Sequence, residues 1–324
     1  MELLRALGDH EQLRELWLLR LVTGRPGPQR ECDLRQPGRD AFLPGIPRWQ
    51  WHSPGERIPH CFDGHVDYRT NTYWNTTSPD YDSAYLRTAL KNFIAAFGAR
   101  YDGDPRIGFI HTGLVGLWGE WHTWPYDTDT GDGYPNYMPT DAHGAEILQA
   151  YDNAFNKTKL EVRYPGSGGS ASGQLDIGYH DDSFCYREGS PLAGVTLPES
   201  LGGASYSQLQ RAIDQGAENK WITDSMGGEV RPEIQSQAFS FWPGGSGEVD
   251  NMKACIELEH TTWKMNEGSS GYSATDPKVA AGVRLMGYNL GVNNATTRTQ
   301  LREPPRSASR SATTAWPRST TPGR

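Results

Sequence analysis

From about residue 65 to residue 293 the chain alternates short β-type runs with helical repeats, and this alternation constrains the fold more than any other feature. Strands that alternate with helices imply a parallel sheet, because parallel neighbours need a crossover connection that a helix supplies. Ser78-Pro79-Asp80 reads as the start of a helix whose apolar face is Leu86, Leu90, Phe93, Ile94, Phe97 and Tyr101, at spacings of 3 and 4. Ile107, Phe109 and Ile110 form a buried strand, and Thr140-Asp141 caps a second helix (Ile147, Leu148, Tyr151, Phe155). Strands follow at Leu160–Tyr164 and Leu175–Tyr179, then a helix at Tyr206–Gly216 and a short strand at Trp221–Thr223. A helix runs from Pro232 toward Phe241, and Cys255–Glu259 reads as a strand. Asp276-Pro277 caps a helix that stops at Gly287, and Tyr288–Val292 is the last strand. The expected fold is α/β, a (β/α)8 TIM-type barrel over residues 65–287. Its N-terminal side is open to being incomplete, since three convincing strands are not found before Ile107.

The ends differ from the middle. Residues 2–22 suit an amphipathic helix, whereas 25–60 hold seven prolines and many arginines without periodicity, so 1–64 is expected to be an atypical segment, in part disordered. Residues 288–324 read as a truncated start of a C-terminal β-domain followed by a disordered, Arg/Ser/Thr/Pro-rich tail. Both ends have the character of truncated or out-of-frame sequence. The chain carries −8 overall, with a local +4 over residues 301–324 and −12 on the remainder. That balance argues against a nucleic-acid surface. No run approaches the roughly 18 apolar residues of a membrane span, and the acidic N-terminus does not resemble a signal peptide. Cys32, Cys61, Cys185 and Cys255 show no zinc spacing and leave both the disulfide state and the compartment open. Three Asn-X-Thr triplets (Asn75, Asn156, Asn294) match the glycosylation pattern only weakly.

Chemistry concentrates where strands end, which in a barrel is where functional residues gather. The Ile107 strand empties into Gly113, Gly116 and Gly119, with Glu120 set between Trp118 and Trp121 and followed by His122 and Trp124. Indoles stack on pyranose faces, and a carboxyl held among apolar rings is suited to donate a proton. The next strand ends give Arg163-Tyr164, His180-Asp181-Asp182, Glu229 with Arg231, and His260 with Trp263. Catalytic roles are expected for Glu120, as proton donor, and Glu229, as an ionised nucleophile beside Arg231. Trp118, Trp121, His122, Trp124, Arg163, Tyr164, His180, Asp181, Asp182, Arg231, His260 and Trp263 are the expected substrate contacts. Two carboxyls about 5–5.5 Å apart suit retaining glycoside hydrolysis.

The segment Arg100-Tyr-Asp-Gly-Asp-Pro-Arg-Ile-Gly-Phe-Ile through Trp-Gly-Glu-Trp-His122, with Gly-Tyr-His-Asp-Asp-Ser-Phe184 and Gly-Gly-Glu-Val-Arg-Pro-Glu233, resembles an uncharacterised family of glycoside-hydrolase-like barrel proteins. That family, a domain of unknown function, usually ends in a C-terminal β-sandwich. The resemblance covers residues 68–293 and implies a barrel, a carbohydrate connection and often an extracellular setting. If the Ile107 strand is the fourth, Glu120 and Glu229 follow strands four and seven, as the acid/base and nucleophile do in the related retaining hydrolases. Gly119 stands where those enzymes carry an Asn.

Each sharp reading has a plain one beside it. Glu120 can brace its loop, the glycine pair before Glu229 can serve a turn, and His260 can be a core histidine. His180-Asp181-Asp182 suits hydrogen bonding to a sugar or to Arg163 better than a metal, since adjacent residues rarely converge on one ion. Asp127-Thr-Asp-Thr-Gly-Asp132 departs from the EF-hand spacing and reads as a solvated loop. The expected function is that of a carbohydrate-active barrel protein, a retaining glycoside hydrolase using Glu120 and Glu229, with no metal and no cofactor, whose partner is a carbohydrate ligand or substrate rather than nucleic acid or membrane; its oligomeric state is unassigned. The alternatives are a non-catalytic carbohydrate-binding protein and a defective fragment of such an enzyme.

Overall fold

The computed structural model describes residues 62, 64–74, 76–127, 136–187, 208–266, 272–273 and 275–287, together with the backbone of 291–300 and 303–312. The expectations for residues 2–22 and 25–60 and for most of the Asp127–Asp132 loop therefore lie outside the described residues. The chain divides into two units: residues 1–180 with 211–225, and 181–210 with 226–324. None of the described helices is long and apolar enough to cross a membrane.

Unit one opens with an antiparallel pair, β1 (Tyr68–Asn71) and β2 (Thr76–Pro79), in the register Asn71 opposite Thr76. Helix α1 (Ala84–Tyr101) follows, capped by Ser83, whose Oγ accepts from the Leu86 amide. It buries Leu86, Leu90, Ile94 and Tyr101 on one face. Helix α2 (Asp141–Ala154) buries Ile147, Leu148 and Tyr151 and packs on α1. Gly98 makes that packing possible: a Cβ there would lie 2.3 Å from the Ala154 carbonyl oxygen. Glu146 of α2 reaches back across the crossing to Arg87 at 2.7 Å and to Lys91.

Unit one also holds a parallel sheet of β3 (Phe109–His111), β4 (Lys159–Val162) and β5 (Ile177–His180). The register pairs His111 with Glu161, and Val162 with Tyr179. The one-turn helix α3 (Ala171–Gln174) precedes β5, and the chain returns to unit one along α4 (Gln208–Asp214). Lys220 then donates to the Leu175 and Ile177 carbonyls, closing the lower end of β5.

Unit two is built differently. Its strand β6 is only Met226–Gly227, and single parallel bridges, Phe184 to Val230 and Glu229 to Met265, continue the pairing. Helices α5 (Met252–Glu259) and α6 (Pro277–Met286) enclose a core of Phe184, Cys185, Val230, Ile234, Met252, Cys255 and Ile256. Strands β7 (Gly291–Gln300) and β8 (Glu303–Ala312) form an antiparallel hairpin.

The eightfold barrel is therefore corrected. Among the described residues the parallel strands are three short ones in unit one and the two-residue β6 in unit two, half the number a (β/α)8 barrel needs. Two expected strands are helical. Cys255–Glu259 belongs to α5, since Met252, Cys255, Ile256 and Glu259 are buried at helical spacing. Trp221–Thr223 falls on a 3-10 turn (Lys220–Ile222). The helix expected from Pro232 is a single 3-10 turn, Pro232–Ile234. Ser78-Pro79 ends β2 instead of starting a helix, and α1 begins at Ala84. With the strand count gone, the placement of Glu120 and Glu229 after strands four and seven loses its frame.

Gly98→Ala is expected to destabilise the protein by about 1–3 kcal/mol in urea unfolding. Helix propensity alone would favour Ala by about 1 kcal/mol, but the clash with Ala154 is the larger effect. A gain in stability would contradict the tight crossing.

Candidate functional site

The sequence after β3 folds into a loop that only its particular glycines permit. Gly116 and Gly119 have φ of 81° and 82°. A Cβ on Gly119 would lie 2.2 Å from the Gly113 carbonyl oxygen, and one on Gly116 would lie 2.5 Å from the His122 nitrogen. Trp118 and Trp121 also occupy the left-handed region, at φ 53° and 55°, a conformation that costs an ordinary residue about 1 kcal/mol or more. The loop is closed by Leu117 N–H to the His122 carbonyl at 2.7 Å and Trp121 N–H to the Val115 carbonyl at 2.9 Å. The two indoles part company. Trp121 turns inward, 6% exposed, and its Nε1 donates to the Thr112 carbonyl at 2.8 Å. Trp118 turns outward and is 37% exposed. Trp121 is thus a packing residue and Trp118 a surface one.

Glu120, between them in sequence, does not sit in a purely apolar box. Its Oε2 is ion-paired with Nη1 of Arg163, which follows β4 and is buried. The same oxygen lies 3.2 Å from His122 Nε2. His122 Nδ1 accepts the Trp124 amide at 3.2 Å, which leaves Nε2 to carry the hydrogen and donate to Glu120. A carboxylate with two converging donors is a hydrogen-bonding anchor in character. Tyr164 is flanked by the Arg163 and Arg211 guanidiniums, 4.9 and 5.0 Å from its ring centre, and burial pushes its phenol up. Nearby, His111 stacks on His180 with centroids 4.0 Å apart and planes 7° from parallel. His111 Nε2 also lies 3.2 Å from Oε2 of the fully buried Glu161.

Beside this polar group lies an aromatic platform that the sequence reasoning missed in part. Tyr73 and Trp74, in the turn between β1 and β2, are 57% and 36% exposed. Tyr73 meets Trp124 edge-to-face at 4.9 Å, and Trp74 meets Trp118 at 5.1 Å. Trp118 in turn adjoins the His122 ring at 5.9 Å. Asn71 fastens the two loops together. Its Nδ2 donates to the Trp124 carbonyl at 2.9 Å and to that of Thr123 at 3.3 Å, and its Oδ1 accepts the Trp74 amide at 3.1 Å. The signal available in the sequence was the pair Tyr73-Trp74 in a polar turn, where large apolar side chains have no core to enter.

The remaining expected residues belong to unit two, so the structure groups Glu120, His122, Trp118, Trp124, Arg163, Tyr164 and His180 in one unit and Asp181, Asp182, Glu229, Arg231, His260 and Trp263 in the other. Gln235 Nε2 donates to Oε1 of Glu229 at 2.8 Å, while the Arg231 guanidinium bonds Glu233 at 2.9 Å and covers the Tyr186 ring at 4.5 Å. Asp181 is buried and its Oδ1 accepts the Ser183 amide at 2.9 Å. Gly228 lets the Asp181 backbone approach closely, for a Cβ there would lie 2.1 Å from the Asp181 carbonyl oxygen. Trp263 lies over Gly227, where any Cβ would strike the indole. His260 is the left-handed C-cap of α5, and burial lowers its pKa. The wholly buried Glu259 is pushed well up by burial and by the neighbouring Asp181, with Lys264 opposing. Among the described residues no cluster of three or more His, Cys, Asp or Glu is placed to hold a metal ion. No protein-family model matches the chain, and neither curated proteins nor solved structures show a match to it.

Burial also raises the Asp250 carboxyl to about 6, against the opposing pull of Arg187. The folded state therefore keeps this proton, and that of Glu259, at pH values where the unfolded chain has lost it. The Asp250 contribution to stability is expected to fall, by on the order of 1–2 kcal/mol, as pH rises from about 4 to 6. Asp250→Asn should flatten that part of the stability–pH curve measured by urea titration. A wild-type curve rising through this window, unchanged in the variant, would contradict the assignment.

Proposed function

We propose that the face of unit one formed by Tyr73, Trp74, Trp118 and Trp124 binds carbohydrate, with Glu120, Arg163 and His122 at its polar border. The observation that carries this reading is the exposure of three large aromatic side chains locked edge-to-face beside a fixed carboxylate–guanidinium pair. Exposed rings of this size are expensive to leave in water unless they meet a ligand. A pyranose offers them an apolar C–H face, and its equatorial hydroxyls project toward a rim where both acceptors and donors are needed. Glu120 supplies the acceptor and Arg163 and His122 the donors. The Asn71 clasp holds both loops before ligand arrives, so little ordering entropy opposes binding.

The second reading is turnover of a glycoside, with Glu120 as a catalytic carboxyl. It is favoured by the partial exposure of the Glu120 carboxyl, 23%, which leaves it open to a ligand while ion-paired. The ion pair itself suits an anchoring role better than a proton-donating one, and this ranks binding first. Both readings keep Glu120 at the sugar.

Trp74→Ala and Trp118→Ala are each expected to weaken binding of soluble oligosaccharides by about tenfold or more, since a stacked aromatic contributes roughly 1–3 kcal/mol. Calorimetric titration against a panel of neutral glycans checks this. Affinity for no glycan, or affinity untouched by both substitutions, overturns the proposal. Release of a chromogenic aglycone that disappears in Glu120→Gln would promote the hydrolase reading.

A further inference from the structure

Cys185 and Cys255 lie 70 residues apart in the chain and meet inside the core of unit two. Both are wholly buried, and their sulfurs are 2.8 Å apart. Non-bonded heavy atoms of this kind settle at about 3.5–4.0 Å, and a disulfide closes at about 2.05 Å. The pair is thus already inside ordinary contact distance. Neither backbone is free to drift away. The Cys185 carbonyl accepts the Asp250 amide at 2.8 Å, its neighbour Phe184 is bridged to Val230, and Cys185 itself is held in the left-handed region at φ 60°. Cys255 lies in α5, where its amide donates to the Asn251 carbonyl at 2.9 Å beneath the Asn251 cap. Phe184, Val249, Met252 and Ile256 complete the same core. No other use for this sulfur pair arises from the proposed function of unit one.

We infer that Cys185 and Cys255 are a redox pair that closes to a disulfide across the core of unit two. The oxidant is a small-molecule disulfide such as oxidised glutathione. One cysteine thiolate attacks it, forming a mixed disulfide and releasing one reduced thiol. The second cysteine thiolate then attacks the protein sulfur of that mixed disulfide and releases the other. Two protons and two electrons leave the protein, one S–S bond forms in the core and one is broken in the oxidant. Burial raises both thiols and so disfavours the attacking thiolate. Closure is therefore slow and passes through brief local opening, and the closed bond is shielded from reductant by the same burial. The product staples α5 to the segment that carries Asp181 and Ser183 and encloses Glu229 within its loop.

The test uses the full chain, reduced and then equilibrated with oxidised glutathione. Remaining thiols are blocked in denaturant, and peptides are mapped without reduction. The expected result is a Cys185–Cys255 linked peptide, with the thermal midpoint of the oxidised protein higher than that of the reduced by about 10 °C. In Cys185→Ser the linked peptide is absent and the oxidant no longer moves the midpoint. Mapping on the unmodified chain does not depend on that variant folding. Recovery of both residues as blocked thiols, as glutathione adducts, or linked to Cys32 or Cys61 would overturn the inference.

Discussion

The ion pair between Glu120 and Arg163 is the interaction on which the organisation of unit one's surface depends. Arg163 emerges from β4 into a buried position where its charge needs a partner, and Glu120 supplies it. Glu120 lies on a loop that leaves β3 and that sterics would otherwise oppose, with two tryptophans in left-handed conformations. The pair and the His122 contact draw that loop back onto the next strand. Trp121 is pinned inward by its bond to Thr112, and Trp118 is thereby turned outward.

The platform gains its width from a distant part of the chain. Asn71 sits at the end of β1, 53 residues before Trp124, and its single amide group bonds both loops. A buried amide that satisfies donors and acceptors on two segments fixes their register as well as their contact. Tyr73 and Trp74 are held where Trp118 and Trp124 can meet them edge-to-face. The same economy appears in unit two, where glycines at 227 and 228 admit Trp263 and the Asp181 backbone to a narrow extended ribbon. In both units, close backbone approach positions the polar side chains and regular sheet contributes little.

What the sequence made legible was local and periodic. The faces of α1 and α2, the parallel strands after residues 107, 160 and 175, and the Asp276 cap of α6 all follow from spacing and capping chemistry. The barrel did not follow, because its closure was inferred from counting strands and two of those counted were not strands. Ile256-Glu-Leu-Glu259 alternates apolar and polar residues as a strand does, yet Met252 and Cys255 before it complete a helical stripe, and packing chose the helix. The extended segment that pairs instead, Trp263 to Met265, contains a Lys and a Trp and carries no periodicity to announce itself. At the candidate site, Glu120, His122, Arg163, Trp118 and Trp124 were expected from residue type and from their positions just after strands. Asn71, Tyr73, Trp74, His111 and Glu161 were not, since their roles arise from contacts across tens of residues.

The Arg163–Glu120 pair holds the 113–124 loop in the shape that exposes Trp118. Amide hydrogen exchange of wild type and Arg163→Met tests it most directly. Faster exchange is expected at Leu117 and Trp121 in the variant, with the amides in the middle of α1 unchanged. Equal protection of the loop in both proteins, or a loss spread evenly through α1, would contradict it.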